Sequence, residues 1–336
     1  MNPGASRPRP ASSPARRHRR AGTGRPASQR GAALLVAMVL LTVVVTLSAG
    51  MVWQQWRAVQ IEEAERARTQ STWILAGALD WARLILREHR TEHTSLHDAW
   101  AQPLAEARLS TFLATDRDNN ADDGPEAFLS GQITDAQAKY NLRRLFANGQ
   151  VAPEELKVLE RLFQAGGLPT SQARALADGL VAAWMGDPSA PVAPTRVDDL
   201  AWFGLDAASI DTLRPWVVLL PSAEGTAVNL NTAPREVLAA VVEKLDLGAA
   251  DRIVQVRQRS PFKRLDDVAA QAGLPSGEAG PKLVAERVGV RSAYFEVRGR
   301  LRLGDRVIEE ASIVHKRSPT EVVVVQRQRL ANVLPR

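Results

Sequence analysis

The sequence predicts an α+β protein in three unequal parts: one long N-terminal helix, a small antiparallel sheet, and a large all-α domain inserted within the sheet-forming part. Three observations carry this. A charge-free stretch from Gly31 to Trp56 runs on into helically spaced apolar positions, with no proline between Pro26 and Pro103. Residues 141–288 are rich in Leu, Ala and amphipathic windows. After Tyr294 the apolar positions change to period two. The 336 residues leave room for two folded units, and 45% hydrophobic against 24% charged residues suits a globular body.

The N-terminal 30 residues hold eight Arg and no acid. The other 35 bases face 37 acids, so the net charge of +6 belongs to the tail and the body has no basic excess of its own. Arg, Pro, Ser and Gly dominate the tail, which has almost no apolar surface to bury and is expected not to fold alone. Ala32 to Val52 would span about 31 Å as a helix, the thickness of a hydrocarbon core. Trp53 and Trp56 follow at interfacial depth, Arg57 closes the span, and the preceding arginines put the N-terminus in the cytoplasm. A buried core helix seldom stays uncharged so long. A cleaved secretory signal would be cut on the far side of the apolar run, near Ser48-Ala49-Gly50. The reading adopted is a retained membrane helix over residues 32–56.

Beyond it, Ile61, Ala64, Ile74, Leu75, Ala78, Leu79, Ala82, Ile85 and Leu86 form a helical stripe, with Glu62, Glu63, Glu65, Arg66 and Arg68 on the other side. One helix from Ala32 to about His89 is therefore expected. Short apolar stretches at Phe128–Ile133 and Ala138–Leu142 supply the first strands. Phe295, Val297, Leu301 and Leu303 alternate with Glu296, Arg298, Arg300 and Arg302, Gly304-Asp305 reads as a tight turn, and Val322–Val325 as a further strand.

Within the helical part, Asn229-Leu230-Asn231-Thr232-Ala233-Pro234 reads as a helix start with Thr232 as cap. Helix Pro234–Leu245, a break at Gly248, helix Ala249–Arg259 and a third helix from Pro261 would follow. This resembles a helix-hairpin-helix module, with Arg252, Arg257, Arg259, Lys263 and Arg264 against Asp251. The turn has a single Gly, short of the Gly-rich hairpin whose exposed N–H groups cradle phosphate, so the hairpin is read as structural and DNA binding as the alternative. Asp116, Asp118, Asn120 and Asp122 alternate oxygen ligands of the kind Ca²⁺ takes, but Ala121 and Ala127 stand where an EF-hand needs Gly and Glu. A solvated acidic loop is the first reading there and Ca²⁺ the second. His89, His93 and His97 would share one face only if the helix continued, and Thr91, Thr94 and Ser95 argue for a polar helix end instead. No nucleophile–base pair, nucleotide loop or His-Glu-x-x-His appears, so no enzyme is expected. The absence of Cys excludes disulfides and thiolate chemistry.

Gln29-Arg30-Gly31 followed by Ala32-Ala33-Leu34-Leu35-Val36 resembles the processing site of type IV pilin-like precursors. Such precursors are cut after the Gly, here Gly31, by a prepilin peptidase that methylates the new N-terminus, here Ala32. Most members carry Glu at the fifth mature position. Val36 in its place is similar to one subfamily, the K-type minor pseudopilins of type II secretion (general secretion pathway protein K). Gly131 to Leu142 (GQITDAQAKYNL), Leu213 to Pro221 (LRPWVVLLP), Val228 to Ala233 (VNLNTA) and Tyr294 to Arg329 resemble that family in the same order, although Arg143 stands where a second Asn is usual. The resemblance implies a pilin-like domain carrying an inserted helical domain of SAM or helix-hairpin-helix type. It divides the chain into a cleaved leader (1–31), a membrane helix (32–56), a first pilin-like part (57–140), the insert (141–288) and closing strands (289–336). It also implies an inner-membrane subunit with a periplasmic body at the tip of a pseudopilus. Ala33, Leu34, Leu35, Val36, Met38, Leu40 and Leu41 would pack in lipid and then against other subunits. The implied partners are I- and J-type minor pseudopilins and, through them, the major pseudopilin. Family members can hold Ca²⁺ in the insert after a Trp-containing helix; the matching Ala183 to Pro188 has lost most of the acids.

Overall fold

The structure is a computed structural model, and it describes residues 29–110, 127–275, 277–304 and 306–330. Helix α1 runs unbroken over Gln29–Glu88, within a turn of the expected limits at both ends. The chain divides into two compact units at Ala67/Arg68, inside α1.

In the second unit a five-stranded antiparallel sheet is built from β1 (Leu104–Arg108), β2 (Ala127–Asp135), β3 (Tyr294–Leu303), β4 (Arg306–Lys316) and β5 (Val322–Leu330), in the order β1-β2-β3-β4-β5. Strands β2 and β3 are neighbours although residues 136–293 lie between them. Leu129, Gly131 and Ile133 face Leu301, Gly299 and Val297. The alternation read from β3 holds, since Phe295, Val297 and Leu301 are buried and Arg298 and Arg300 are exposed. Leu303 pairs with Arg306, and Gly304 between them has φ +57°, as the first position of a two-residue primed turn demands.

The second half of α1 packs on this sheet. Ser71, Leu75, Leu79, Ala82 and Leu86 are buried at helical spacing against Leu129, Ile133, Phe295, Val297, Leu301 and Val314. Trp100 closes the core edge-on to Phe295 at 5.2 Å. The opposed Gly131 and Gly299 lie under the helix: a Cβ on Gly299 would sit 3.2 Å from the Leu75 Cδ2. Arg83 fastens α1 to β5 by donating twice to the Val322 carbonyl (2.9 and 2.7 Å), and Lys316 donates to the carbonyl of His89 just past the helix end, where a cation suits the dipole.

Residues 140–290 build a separate core of helices α2 (Pro153–Ala165), α3 (Thr170–Met185), α4 (Ala207–Leu213), α5 (Arg235–Val241), α6 (Leu247–Arg259) and α7 (Asp267–Gln271), around Leu159, Leu162, Phe163, Leu176, Leu180 and Phe262. Several expectations need correction here. Helix α5 stops at Val241 because Val242 turns extended, Lys244 takes φ +64°, and the Glu243 carbonyl accepts from Lys282 N. The break therefore falls at residues 242–246, and Gly248 lies in the first turn of α6, capped by Asp246 on Ala249 N (2.7 Å). The third helix begins only at Asp267. Thr232 caps nothing, since the α5 N-cap is Pro234 and makes no side-chain cap bond. A two-residue hairpin turn at Asn148-Gly149, both with positive φ, joins Phe146–Ala147 to Gln150–Val151. Two parallel strand pairs, Tyr140–Asn141 with Val217–Val218 and Val228–Asn229 with Val288–Gly289, also lie within the insert.

Candidate functional site: an uncovered apolar helix and a polar domain junction

The first half of α1 is apolar on every side. Its best 18-residue window has a mean hydropathy of 2.6 and is wholly unburied, and among the described residues it is the one helix long and apolar enough to cross a membrane. Leu34, Leu35, Val36, Met38, Leu40 and Leu41 each expose more than half their surface, and Ala33 is exposed as well. A water-soluble rod of this composition would be unstable to association; lipid or other apolar helices must cover it. Both of its threonine hydroxyls are satisfied within the helix: Thr42 Oγ1 donates to the Met38 or Val39 carbonyl (3.0 and 2.8 Å) and Thr46 Oγ1 to the Val43 carbonyl (2.9 Å), which eases their transfer to hydrocarbon. Gly31 and Ala32 lie in the first turns of this helix, exposed, with nothing within 4 Å of a Cβ built on Gly31. At the far end of the apolar run the Arg57 guanidinium lies 5.7 Å from the Trp53 ring, an amphipathic pair suited to an interface.

A second feature explains residues that the sequence quoted only by resemblance. Asp135, at the end of β2, is buried, and four donors surround its carboxylate. Gln137 N reaches Oδ1 at 2.8 Å, while Thr232 Oγ1 (2.6 Å), Ser292 Oγ (2.6 Å) and Asn229 Nδ2 (2.9 Å) reach Oδ2. Burial raises its pKa, and these hydrogen bonds oppose that rise. The donors come from the entry to the insert, from its middle and from the segment just before β3, where the chain returns to the sheet. Gln137 repeats the pattern: its Oε1 accepts from Ala293 N (2.6 Å) and Tyr294 N (3.1 Å), and its Nε2 donates to Ala227 O (2.8 Å). Asn141 accepts from Leu220 N (3.0 Å) and donates to Ser222 O (2.7 Å). Asn231 clasps both backbone groups of Phe262 (2.8 and 2.9 Å). The GQITDAQAKYNL and VNLNTA runs are thus the two faces of one buried seam that fixes the insert to the sheet.

The other candidates fare differently. The three histidines share no helix face because α1 ends at Glu88. The helix end is also not a wet one: Thr94 and Ser95 are buried, and His89 Nε2 meets Asp98 Oδ2 at 2.9 Å, with Trp100 Nε1 (3.1 Å) and Ser95 N (2.7 Å) on the same oxygen. Burial lowers the His89 pKa. Asp116, Asp118, Asn120 and Asp122 lie outside the described residues; among the described residues no group of three or more metal-binding side chains gathers. Asp187 turns onto Ser189 N and Oγ (both 2.8 Å). Arg257, central to the helix-hairpin-helix reading, is buried with its Nη1 on the Leu230 carbonyl at 2.6 Å, and burial lowers its pKa to about 10. That guanidinium holds α6 against the 228–231 segment and is not offered to a phosphate.

Comparison with known proteins agrees with this arrangement. Two family models, both described as type II secretion system protein K, match residues 138–222 and 228–291. Type II secretion system protein K of Pseudomonas aeruginosa is 28% identical over 83% of this chain and 86% of its own length. The protein of the same name from Pectobacterium carotovorum is 27% identical over 89% of this chain and 96% of its own. One chain of the GspK–GspI–GspJ crystal structure from enterotoxigenic Escherichia coli superposes with a TM-score of 0.60 at 17% identity, covering 80% of this chain and 99% of that one. Both family models fall within the insert and its seam, and the curated relatives extend the similarity to type II secretion system protein K over most of the chain.

Proposed function

We propose that this chain is a non-enzymatic subunit, anchored in the inner membrane by α1 with its N-terminus cytoplasmic and its body periplasmic, that caps a type II secretion pseudopilus. The observation that carries the reading is the uncovered, charge-free first half of α1, joined without a break to a second half that belongs to the folded body. Cleavage between Gly31 and Ala32 would remove the arginine tail and leave an apolar N-terminus. The same surface, Ala33 to Leu41, then serves twice, dissolved in lipid before assembly and packed on neighbouring helices after it. The partners proposed are I- and J-type minor pseudopilins, the companions in the superposed complex. Val36 supports a terminal position. It supplies no carboxylate to neutralise a neighbour's N-terminal amine, which a tip subunit, with nothing above it, does not need. The five-part division from leader to closing strands is proposed on the same grounds, with the sheet and α1 as the assembling part and the 141–288 insert as a cap.

The test is mass spectrometry of the protein from cells with an active prepilin peptidase. The expected N-terminus is a methylated Ala32; an intact arginine tail refutes the reading. Co-expression with the I- and J-type partners should yield a ternary complex, and a lone monomer counts against the tip assignment.

A further inference from the structure

Arg143 is the one residue of the GQITDAQAKYN-LR run that departs from the resemblance, and its surroundings are unusual for an arginine. Its guanidinium lies over two aromatic rings, 4.6 Å from the Trp184 centroid and 5.1 Å from that of Phe146, and those rings meet edge to face at 6.3 Å. Among the described residues its guanidinium makes no hydrogen bond and no ion pair, while its backbone N is held by Asn141 Oδ1 at 3.1 Å. Burial lowers its pKa and no neighbouring carboxylate offsets this. A half-buried, preorganised fork of N–H donors without an acceptor is an anion site waiting for a ligand. Arg143 and Trp184 line a trough of about 360 Å³, whose other walls include Pro194, Leu219, Leu220, Pro221 and Val325. Thr195 and Gln326 also line it, with Gln326 Nε2 donating to the Thr195 carbonyl (2.9 Å), so walls that are mostly apolar and uncharged stand beside a single cation and suit a ligand with the same two parts.

We propose that Arg143, clamped by Trp184 and Phe146, is the recognition point for a peptide carboxylate flanked by apolar residues, which seat in the Pro194–Pro221 trough. The planar fork takes both carboxylate oxygens, and the rings fix its orientation before the ligand arrives, so little side-chain entropy is lost on binding. Charge complementarity names the occupant: the bare cation calls for an acidic segment, and the lining leaves no second charge to bind a polyanion. The carboxylate is that of an Asp or Glu side chain within the segment, and a chain terminus is the source that the experiment tests against.

The full chain in detergent micelles is titrated calorimetrically with three probes: a capped pentapeptide with a central glutamate among leucines, its glutamine counterpart, and a leucine tripeptide with a free C-terminus. The glutamate peptide is expected to bind at least about tenfold tighter than the glutamine one, the loss that removing a charge-assisted bond produces. That preference should vanish in Arg143→Gln and shrink in Arg143→Lys, which keeps the charge without the fork. Tighter binding of the glutamate pentapeptide than of the tripeptide supports the side-chain carboxylate, and tighter binding of the tripeptide overturns that source. Equal affinity for glutamate and glutamine peptides overturns the proposal, as does an undiminished preference in Arg143→Gln or competition by inorganic phosphate with no peptide binding. Thermal melts accompany each variant. If Arg143→Gln melts early, the Arg143→Lys result alone decides, and wild-type affinity there is also contrary.

Discussion

A carboxylate buried away from any cation keeps its place only while donors surround it, and Asp135 has four. Asp135→Ala should strand all four donors and cost roughly 3–5 kcal/mol in denaturant melts. Asp135→Asn keeps the shape and one acceptor oxygen, turns an amide against Gln137 N, and should cost about 1–2 kcal/mol. A protein as stable with Ala as with Asp would deny the seam its role. His89 makes a pH prediction. Its folded pKa lies below the ordinary 6.5 because burial disfavours the imidazolium. The stability it contributes is therefore complete above 6.5 and is lost as pH falls through the lower folded value, because only the unfolded chain takes up the proton in between. Midpoints measured from pH 7.5 to 5 should fall more steeply for the wild type than for His89→Gln. At this scale the sequence was hard to read. Nothing local marks Asp135, Thr232 and Ser292 as partners, since each is an ordinary polar residue and only the fold brings the two hydroxyls within 3 Å of the Asp135 carboxylate.

Elements were far more legible, because periodicity is local. The absence of proline and charge defined the start of α1, the stripe from Ser71 to Leu86 its packed face, and alternation the strand Tyr294–Leu303. Strand β1 went unread because Leu104–Arg108 buries no residue fully and shows no alternation. The Asn148-Gly149 hairpin went unread, although that dipeptide is the strongest short-range hairpin signal, because its two-residue strands are too short to show an alternation. The contact between α1 and the sheet yields a double-mutant prediction. Gly299→Ala places a methyl 3.2 Å from the Leu75 Cδ2 and should cost about 1 kcal/mol. Leu75→Ala should cost about 2–4 kcal/mol as a cavity. The double mutant should be more stable than the sum of the two, because the clash and the cavity share the same space. Strict additivity in chemical denaturation would show that the helix does not rest on the glycine pair.

For the molecule as a whole, the division at Ala67/Arg68 carries the expectation that the folded body does not depend on the apolar rod. A chain beginning at Arg68 should be soluble without detergent and melt within a few degrees of the full protein; aggregation on removing the rod would refute this. The candidate membrane span was readable from sequence alone, because its signal is composition and length and needs no tertiary contact. So was the class of fold, since each period reports the face it buries. Tertiary structure alone decided how β2 and β3, separated by residues 136–293, become neighbours, and which side chains seal the seam between them. It also decided that Arg257 is spent inside the insert while the Arg143 guanidinium, among the described residues, has two rings and no acceptor. The physical reason is common to all of these: hydrogen bonds and cation placement depend on distances between residues far apart in the chain, and no local period encodes them.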